Sequence, residues 1–225
     1  MNVPAKLPTE NARSYAARVL LKNIISLELP PGSAVSENEL SAALSLSRTP
    51  VREALIELSR INMVEIIPQK GSYISKINYE LVEESRFMRV VMENAVLKLA
   101  CEGISQKFLD ALELNIQEQR MAYQREDAER FLELDNEFHR LIFESAGKTW
   151  TYKVIKDQMV HFDRLRTLSA LSGSNTHTLS DHEDILYALR RRDAEMGEML
   201  MTRHLKRHLL EKSELVKRYP EYFAE

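Results

Sequence analysis

Residues 36–55 read Ser36-Glu37-Asn38-Glu39-Leu40-Ser41-Ala42-Ala43-Leu44-Ser45-Leu46-Ser47-Arg48-Thr49-Pro50-Val51-Arg52-Glu53-Ala54-Leu55. The pattern describes two short amphipathic helices parted by a polar break. Ser36 is a favourable N-cap, and Glu39 three residues later completes a capping-box pattern. Leu40 and Leu44 fall on one helix face before Ser45-Leu46-Ser47 interrupts it. The next helix starts near Arg48-Thr49-Pro50. Proline is tolerated there because its missing N–H would lack an intrahelical partner in a first turn anyway. Val51, Leu55 and Leu58 form a buried stripe, while Arg48 and Arg52 project together from another face near the helix N-terminus.

On the upstream side, Ala16, Val19, Leu20, Ile24 and Leu27 recur at helical steps, so the spacing predicts a helix over 13–28. Pro30-Pro31-Gly32 stops it. Downstream, residues 63–67 read as a strand, Pro68-Gln69-Lys70-Gly71 as a turn and residues 72–77 as a returning strand. Helix, helix, turn, helix, hairpin is the order of a winged helix-turn-helix, placed at residues 1–77. A recognition helix of this kind puts its N-terminal side chains into the major groove. Arginine can donate two parallel bonds to a guanine edge, and Ser47 and Thr49 can reach bases or phosphates. Lys70 at the wing tip can reach the DNA backbone or minor groove, with Gly71 allowing close approach. Two arginines alone would more simply solvate a helix face. The motif around Arg48 and Arg52 is what favours DNA.

Whole-chain composition bounds the rest. The 225 residues are 44% hydrophobic and 29% charged, the balance of a globular protein rather than a disordered one. No run of about 18 apolar residues suggests a membrane span, and the N-terminus lacks a secretory pattern. A single cysteine, Cys101, excludes an internal disulfide and suits a reducing cytoplasm. The net charge of −3 hides an asymmetry: residues 1–78 carry 9 Lys+Arg and 7 Asp+Glu, whereas residues 79–225 carry 22 and 27. DNA binding needs a local basic face, not a basic protein.

From Tyr79 onward the periodicity predicts an all-α bundle of about six helices, placed at residues 78–225: roughly 79–101, 105–125, 127–147, 149–171, 180–192 and 193–218. Ser172-Gly173-Ser174-Asn175 reads as a loop, and Ser180 with Glu183 as a further capping box. The methionines and Trp150 read as packing residues, and Cys101 as a small buried hydrophobe. Asp135 and His139 are four apart on one predicted helix. His182 and His204 lie on two others, each among apolar residues in helical register. Imidazole and carboxylate together suit Zn, Ni, Fe or Mn. An aspartate and three histidines spread over 70 residues are also often unrelated, and spacing leaves both readings open.

The stretch quoted first resembles the DNA-binding signature of the GntR family of bacterial transcription regulators. The resemblance implies Arg48 and Arg52 as base readers, Ser47 and Thr49 as support, and Lys70 and Gly71 as the wing tip. Asn38 also matches a DNA-contact position, but one where arginine is frequent. The segments Asp135-Asn136-Glu137-Phe138-His139, Asp181-His182-Glu183-Asp184-Ile185-Leu186 and Arg203-His204-Leu205 resemble the FCD-type effector domain of the family's FadR-type branch. That resemblance implies a divalent metal held by Asp135, His139, His182 and His204. It also implies that Arg89 meets the carboxylate of a small organic acid. Lys148 departs from the family, where asparagine is common. The expectation is a cytoplasmic, homodimeric, ligand-responsive regulator, a repressor and not an enzyme, on a palindromic double-stranded operator. Two alternatives stay open: a metal-dependent enzyme using the Asp/His site, or a DNA-binding protein with a purely structural metal.

Overall fold

The structure is a computed structural model. It describes residues 1–173 and 177–224, without the side chains of residues 208, 210 and 211. Two compact units emerge: Met1–Tyr79 together with Val216–Glu225, and Glu80–Leu215.

In the first unit, α1 (Ala12–Ile25) is capped by the Asn11 side chain, which accepts from the Ser14 N–H. Its stripe of Val19, Leu20 and Ile24 is buried, each side chain contributing about 1.5–3 kcal/mol of apolar burial. The helix ends earlier than its periodicity predicts, because Leu27 takes a left-handed φ of 63°. Next come β1 (Ala34–Val35), α2 (Glu37–Leu44), α3 (Arg48–Arg60), β2 (Val64–Ile67) and β3 (Gly71–Ile74). Ser36 caps α2 as expected, its hydroxyl accepting from Glu39 N–H at 3.5 Å. Ser45, at φ 54°, then turns the chain toward α3. Leu40, Leu44, Val51, Leu55 and Leu58 are all buried. The wing is antiparallel, with Ile66 opposite Ser72 and Val64 opposite Ile74. Its turn is closed by Lys70 N–H to the Ile67 carbonyl at 3.0 Å. Gly71 sits at φ 121°, where a side chain would be strained.

Two features differ from the sequence reading. The sheet has a third strand: β1 pairs with β3, Ala34 opposite Tyr73. Two residues are too few to show a period. The sequence reading places the C-terminal tail in the second domain, yet residues 216–224 pack with the first unit. Ile77 N–H bonds the Tyr222 carbonyl at 2.8 Å, and Ala224 N–H bonds the Ile77 carbonyl at 3.0 Å. Phe223 stacks on Tyr79 at 5.3 Å between centroids.

The second unit contains α4 (Tyr79–Gly103, from Glu80 on), α5 (Gln106–Gln124), α6 (Ala128–Ser145), α7 (Thr149–Gln158), α8 (Val160–Leu171), α9 (Thr178–Arg191), α10 (Ala194–Lys206) and the first part of α11 (His208–Arg218). Leu97, Leu112, Phe138, Ile142, Ile185, Leu189 and Met201 are among its core residues. The fourth helix of the sequence reading is two, broken at Met159. The break frees the Gln158 carbonyl to accept from Ser85 Oγ at 3.0 Å. The sixth is likewise divided at Arg207. α9 starts before Ser180, which lies inside it and bonds the His177 carbonyl instead of capping. Within the loop expected at 172–175, residues 174 and 175 lie outside the described residues. Trp150 is 73% exposed, not packed as expected. Among the described residues, no helix is long and apolar enough to cross a membrane.

Candidate metal centre and DNA-binding surface

The helix-turn-helix leaves its expected contact residues in solvent. Ser47, Arg48, Thr49 and Arg52 are exposed at the start of α3, whose opposite face is buried. Asn38 is exposed on α2, and Lys70 and Gly71 are exposed at the wing tip. The N-terminus of α3 adds unpaired N–H groups and a positive dipole end, which favour phosphate.

The body does the reverse and buries its polar residues. Asp135 and His139 lie one turn apart on α6, with His139 Nε2 3.9 Å from Asp135 Oδ2. His182 of α9 brings Nε2 to 3.5 Å from Asp135 Oδ1. His204 of α10 brings Nε2 to 3.3 Å from His139 Nε2. Ligand atoms of all four residues fall within 4.8 Å of one another. Two imidazole nitrogens on one cation, each at about 2.0–2.1 Å in tetrahedral geometry, stand about 3.3 Å apart. The observed spacing therefore suits a shared cation.

Each imidazole is oriented from behind. Asn115 Nδ2 donates to the Leu134 carbonyl at 3.0 Å, and Gln119 Nε2 donates to Asn115 Oδ1 at 2.6 Å. Gln119 Oε1 therefore faces His182 Nδ1, 2.8 Å away, and accepts its proton. That fixes the tautomer and turns a lone pair on His182 Nε2 inward. This buried nitrogen has no hydrogen-bond partner. Leaving it so is costly unless something electropositive meets it. The Glu93 carboxylate lies against His139 Nδ1, and Asp181 Oδ2 is 3.6 Å from His204 Nδ1. Phe138 stacks on His182 at 4.1 Å. Such outer partners orient ligating imidazoles and raise their basicity.

Electrostatics keep the centre ready for a cation. Burial pushes His139 down to about 4, against the pull of Glu93, and pushes His182 well below its ordinary range. Burial alone would raise the Glu93 carboxyl, but Arg89 and His139 beside it bring it down to about 2. Asp135 is also held below its usual range despite burial, by Arg166 above all. At neutral pH the imidazoles His139 and His182 are therefore neutral and the carboxylates charged, the states that bind metal.

A cavity of about 70 Å³ adjoins the centre, lined among others by Arg89, Asp135, Phe162, Arg166, His204 and Arg207. Arg89 is 1% exposed. Its Nε pairs with Glu93, while its Nη2 is buried without a hydrogen-bond partner. Sequence reasoning pointed to Arg89 but missed Gln119 and Arg166, whose helices bear no spacing relation to the ligands. Glu93, one turn from Arg89, was the legible clue to the support of His139. Lys148 sits at the N-cap of α7 without a side-chain capping bond. The side chain of His208 lies outside the described residues.

A winged helix with an exposed recognition helix, followed by an all-helical body, is the architecture of a DNA-binding transcriptional regulator. The comparisons agree. Residues 13–74 match the model of the bacterial regulatory proteins of the gntR family, and residues 84–207 match the FCD domain. The chain is similar to the HTH-type transcriptional repressor RspR of Escherichia coli K12, at 35% identity over 91% of each chain. It is 30% identical to an uncharacterized HTH-type transcriptional regulator of Streptomyces ambofaciens, over 95% of this chain and 92% of that protein. Its fold resembles the solved structure of E. coli McbR/YncC, with a TM-score of 0.76 at 18% identity over 94% and 100% of the two chains. A GntR regulator from Rhodococcus gives 0.69 at 21% identity over 92% and 98%. The chain belongs to the GntR family of bacterial transcriptional regulators and carries an FCD domain.

Proposed function

We propose that this regulator binds an operator half-site through α3 and the wing, and that a divalent transition metal and a small organic acid in the body set its operator affinity. The observation that carries the sensing part is the convergence of three imidazole nitrogens and one carboxylate, with the lone pair of His182 Nε2 turned inward. Asp135, His139, His182 and His204 would hold the metal, which supplies Lewis-acid attraction for an acid's carboxylate. The neighbouring cavity and the unfilled donor of Arg89 give that carboxylate a place. A metal kept solely for structure has no use for either.

Arg48 and Arg52 read base edges, Ser47 and Thr49 support them, Asn38 lies on the same motif, and Lys70 and Gly71 form the wing contact. One head reads only a half-site, so a homodimer on a palindrome follows. Exposed Phe87 and Val91, one turn apart on α4, with Trp150 and Val154 on α7, offer apolar surface for a second copy. One relative named as a repressor favours repression, and the reading places the regulator in the cytoplasm. A hydrolytic role is disfavoured, because Glu93, Asp135, Asp163 and Asp181 are each held by an arginine or lysine and none is left as a ready base.

The test is a thermal-shift screen of small organic acids on the metal-loaded protein, repeated after chelation, with a gel-shift of Arg52→Ala on the operator. The reading expects an acid that raises the melting temperature only with metal present, and lost specific binding for Arg52→Ala. Silence across all acids, with intact operator binding by the variant, contradicts it.

A further inference from the structure

The effector cavity is bordered by more positive charge than one carboxylate can answer once a metal is bound. Glu93, Asp135, Asp163 and Asp181 line the cavity or pair with residues that do, and so do Arg89, Arg166 and Arg207, while Lys156 stands one step further out in the same network, paired with Asp163. Their charges cancel, four against four. Arg203 and Asp184 form a further, half-exposed pair and leave the balance unchanged. An imidazole that ligates a metal does so as the neutral ring and adds no charge of its own. A divalent cation on Asp135, His139, His182 and His204 therefore leaves two positive charges uncompensated, and buried charge is costly without a partner. Electrostatic reasoning at such a site has to include the ion's own charge.

The location of this excess is specific. Arg89 already has a buried Nη2 without a hydrogen-bond partner. Arg166, on α8, donates Nη2 to Asp135 Oδ2, and Nη1 to Asp163 Oδ1 at 2.8 Å and Asn136 Oδ1 at 3.0 Å. Asp135 is the carboxylate that a metal would claim, so metal binding weakens the hold on Arg166 Nη2. Arg207 differs, because it donates from Nε and Nη2 to Asp181, which is not a ligand. Two guanidinium donors thus face one small cavity, and guanidinium forks suit carboxylates.

We infer that the effector is a compact dianion with two acidic groups, one met by Arg89 and the other by Arg166. The inference rests on the effector reading above and sharpens it to a ligand class: short dicarboxylic acids rather than monocarboxylic ones. The cavity of about 70 Å³ sets the scale and suits short carbon skeletons.

Calorimetry on the manganese-loaded full chain tests it. The probes are malonate, succinate and glutarate, each paired with the monoacid of equal length, and inorganic phosphate as a dianion with a single centre. Elemental analysis after each titration checks that manganese stays bound. The expected result is a diacid binding at least about tenfold tighter than its monoacid, with phosphate weaker. In Arg166→Gln the ratio falls to about one, and Arg166→Lys lies between. Equal binding of diacids and monoacids by the wild type overturns the inference and leaves the effector reading standing. So does a preference for phosphate over every diacid. Binding of no acid at all overturns both. The wild-type comparison decides the question even if a variant does not fold.

Discussion

The head and the body place functional residues in opposite ways. The head takes most of the side chains proposed to contact DNA from one contiguous stretch and leaves them all in solvent. The body gathers Arg89, Asp135, His139, His182 and His204 from four helices spread over more than half the chain, and buries them almost completely. The contrast follows from the chemistry. A groove reader needs only a rigid helix with a free N-terminal face, since the DNA supplies the other wall. A metal and an acid must be enclosed, because charge is worth more where water is thin. The chain also passes between the units twice, at Tyr79–Glu80 and at Leu215–Val216. α4, which starts at Tyr79, carries Arg89 and Glu93, and α11 follows the helix of His204.

If this contrast is right, damage to either region should be separable. The largest effect is expected for His139→Ala. Losing a ligand at the centre should lower metal affinity by more than the 10–100-fold typical of outer partners. Metal content after dialysis reads this out, and retained stoichiometric metal would break the assignment. Next, Arg52→Ala should weaken operator binding by about 5–150-fold, from about 1–3 kcal/mol per base-reading arginine, with metal content unchanged. Glu93→Gln and Gln119→Leu should each reduce metal affinity by about 10–100-fold without touching the first set of ligands. A competition titration with a chromophoric chelator measures both.

Gly197→Ala tests the packing that supports the centre. A Cβ there would run into Leu97 Cδ2, between α10 and α4. Overpacking of this kind costs about 1–3 kcal/mol, visible as earlier thermal unfolding of the body with unaltered operator affinity in protein that remains folded.

The smallest effect is a pH difference in the metal-free protein. The folded pKa of His139 is about 4, below the ordinary 6.5, so the unfolded chain binds more protons between those values. The contribution is full above about 6.5 and is lost as pH falls toward 4. Glu93, at about 2 when folded, adds loss in the same direction below about 4.5. The head carries no histidine, and its Glu10, lowered to about 2 by Arg18, responds only in that more acidic range. Hydrogen exchange from pH 7 to pH 5 should therefore show the body loosening first. Equal loosening of both units would count against the buried neutral histidines.

Legibility from sequence divides along the same line. The recognition helix, wing turn and caps of the head are local, so Ser36, Pro50 and Gly71 announce them. β1 escaped because a two-residue strand has no period, and its partner β3 lies 36 residues on. The body's helices were legible as periodic runs, but the breaks at Met159 and Arg207 were not. No proline or glycine marks either site. The first is answered by Ser85 from a distant helix and the second by the bonds of Arg207 to Asp181. Asp135 and His139 could be paired from spacing alone, while their convergence with His182 and His204 is tertiary. Arg166 carries no local signal, since its meaning lies in Asp135, 31 residues away.

The central claim is that the buried centre governs the exposed reader. Fluorescence anisotropy on the operator tests it most directly, with the protein chelated, metal-loaded, and metal-loaded with a saturating dicarboxylate. The account predicts a change in operator affinity of about 5–150-fold that requires metal and acid together, in either direction. Equal affinity in all three states, with metal and acid shown to be bound, would contradict it.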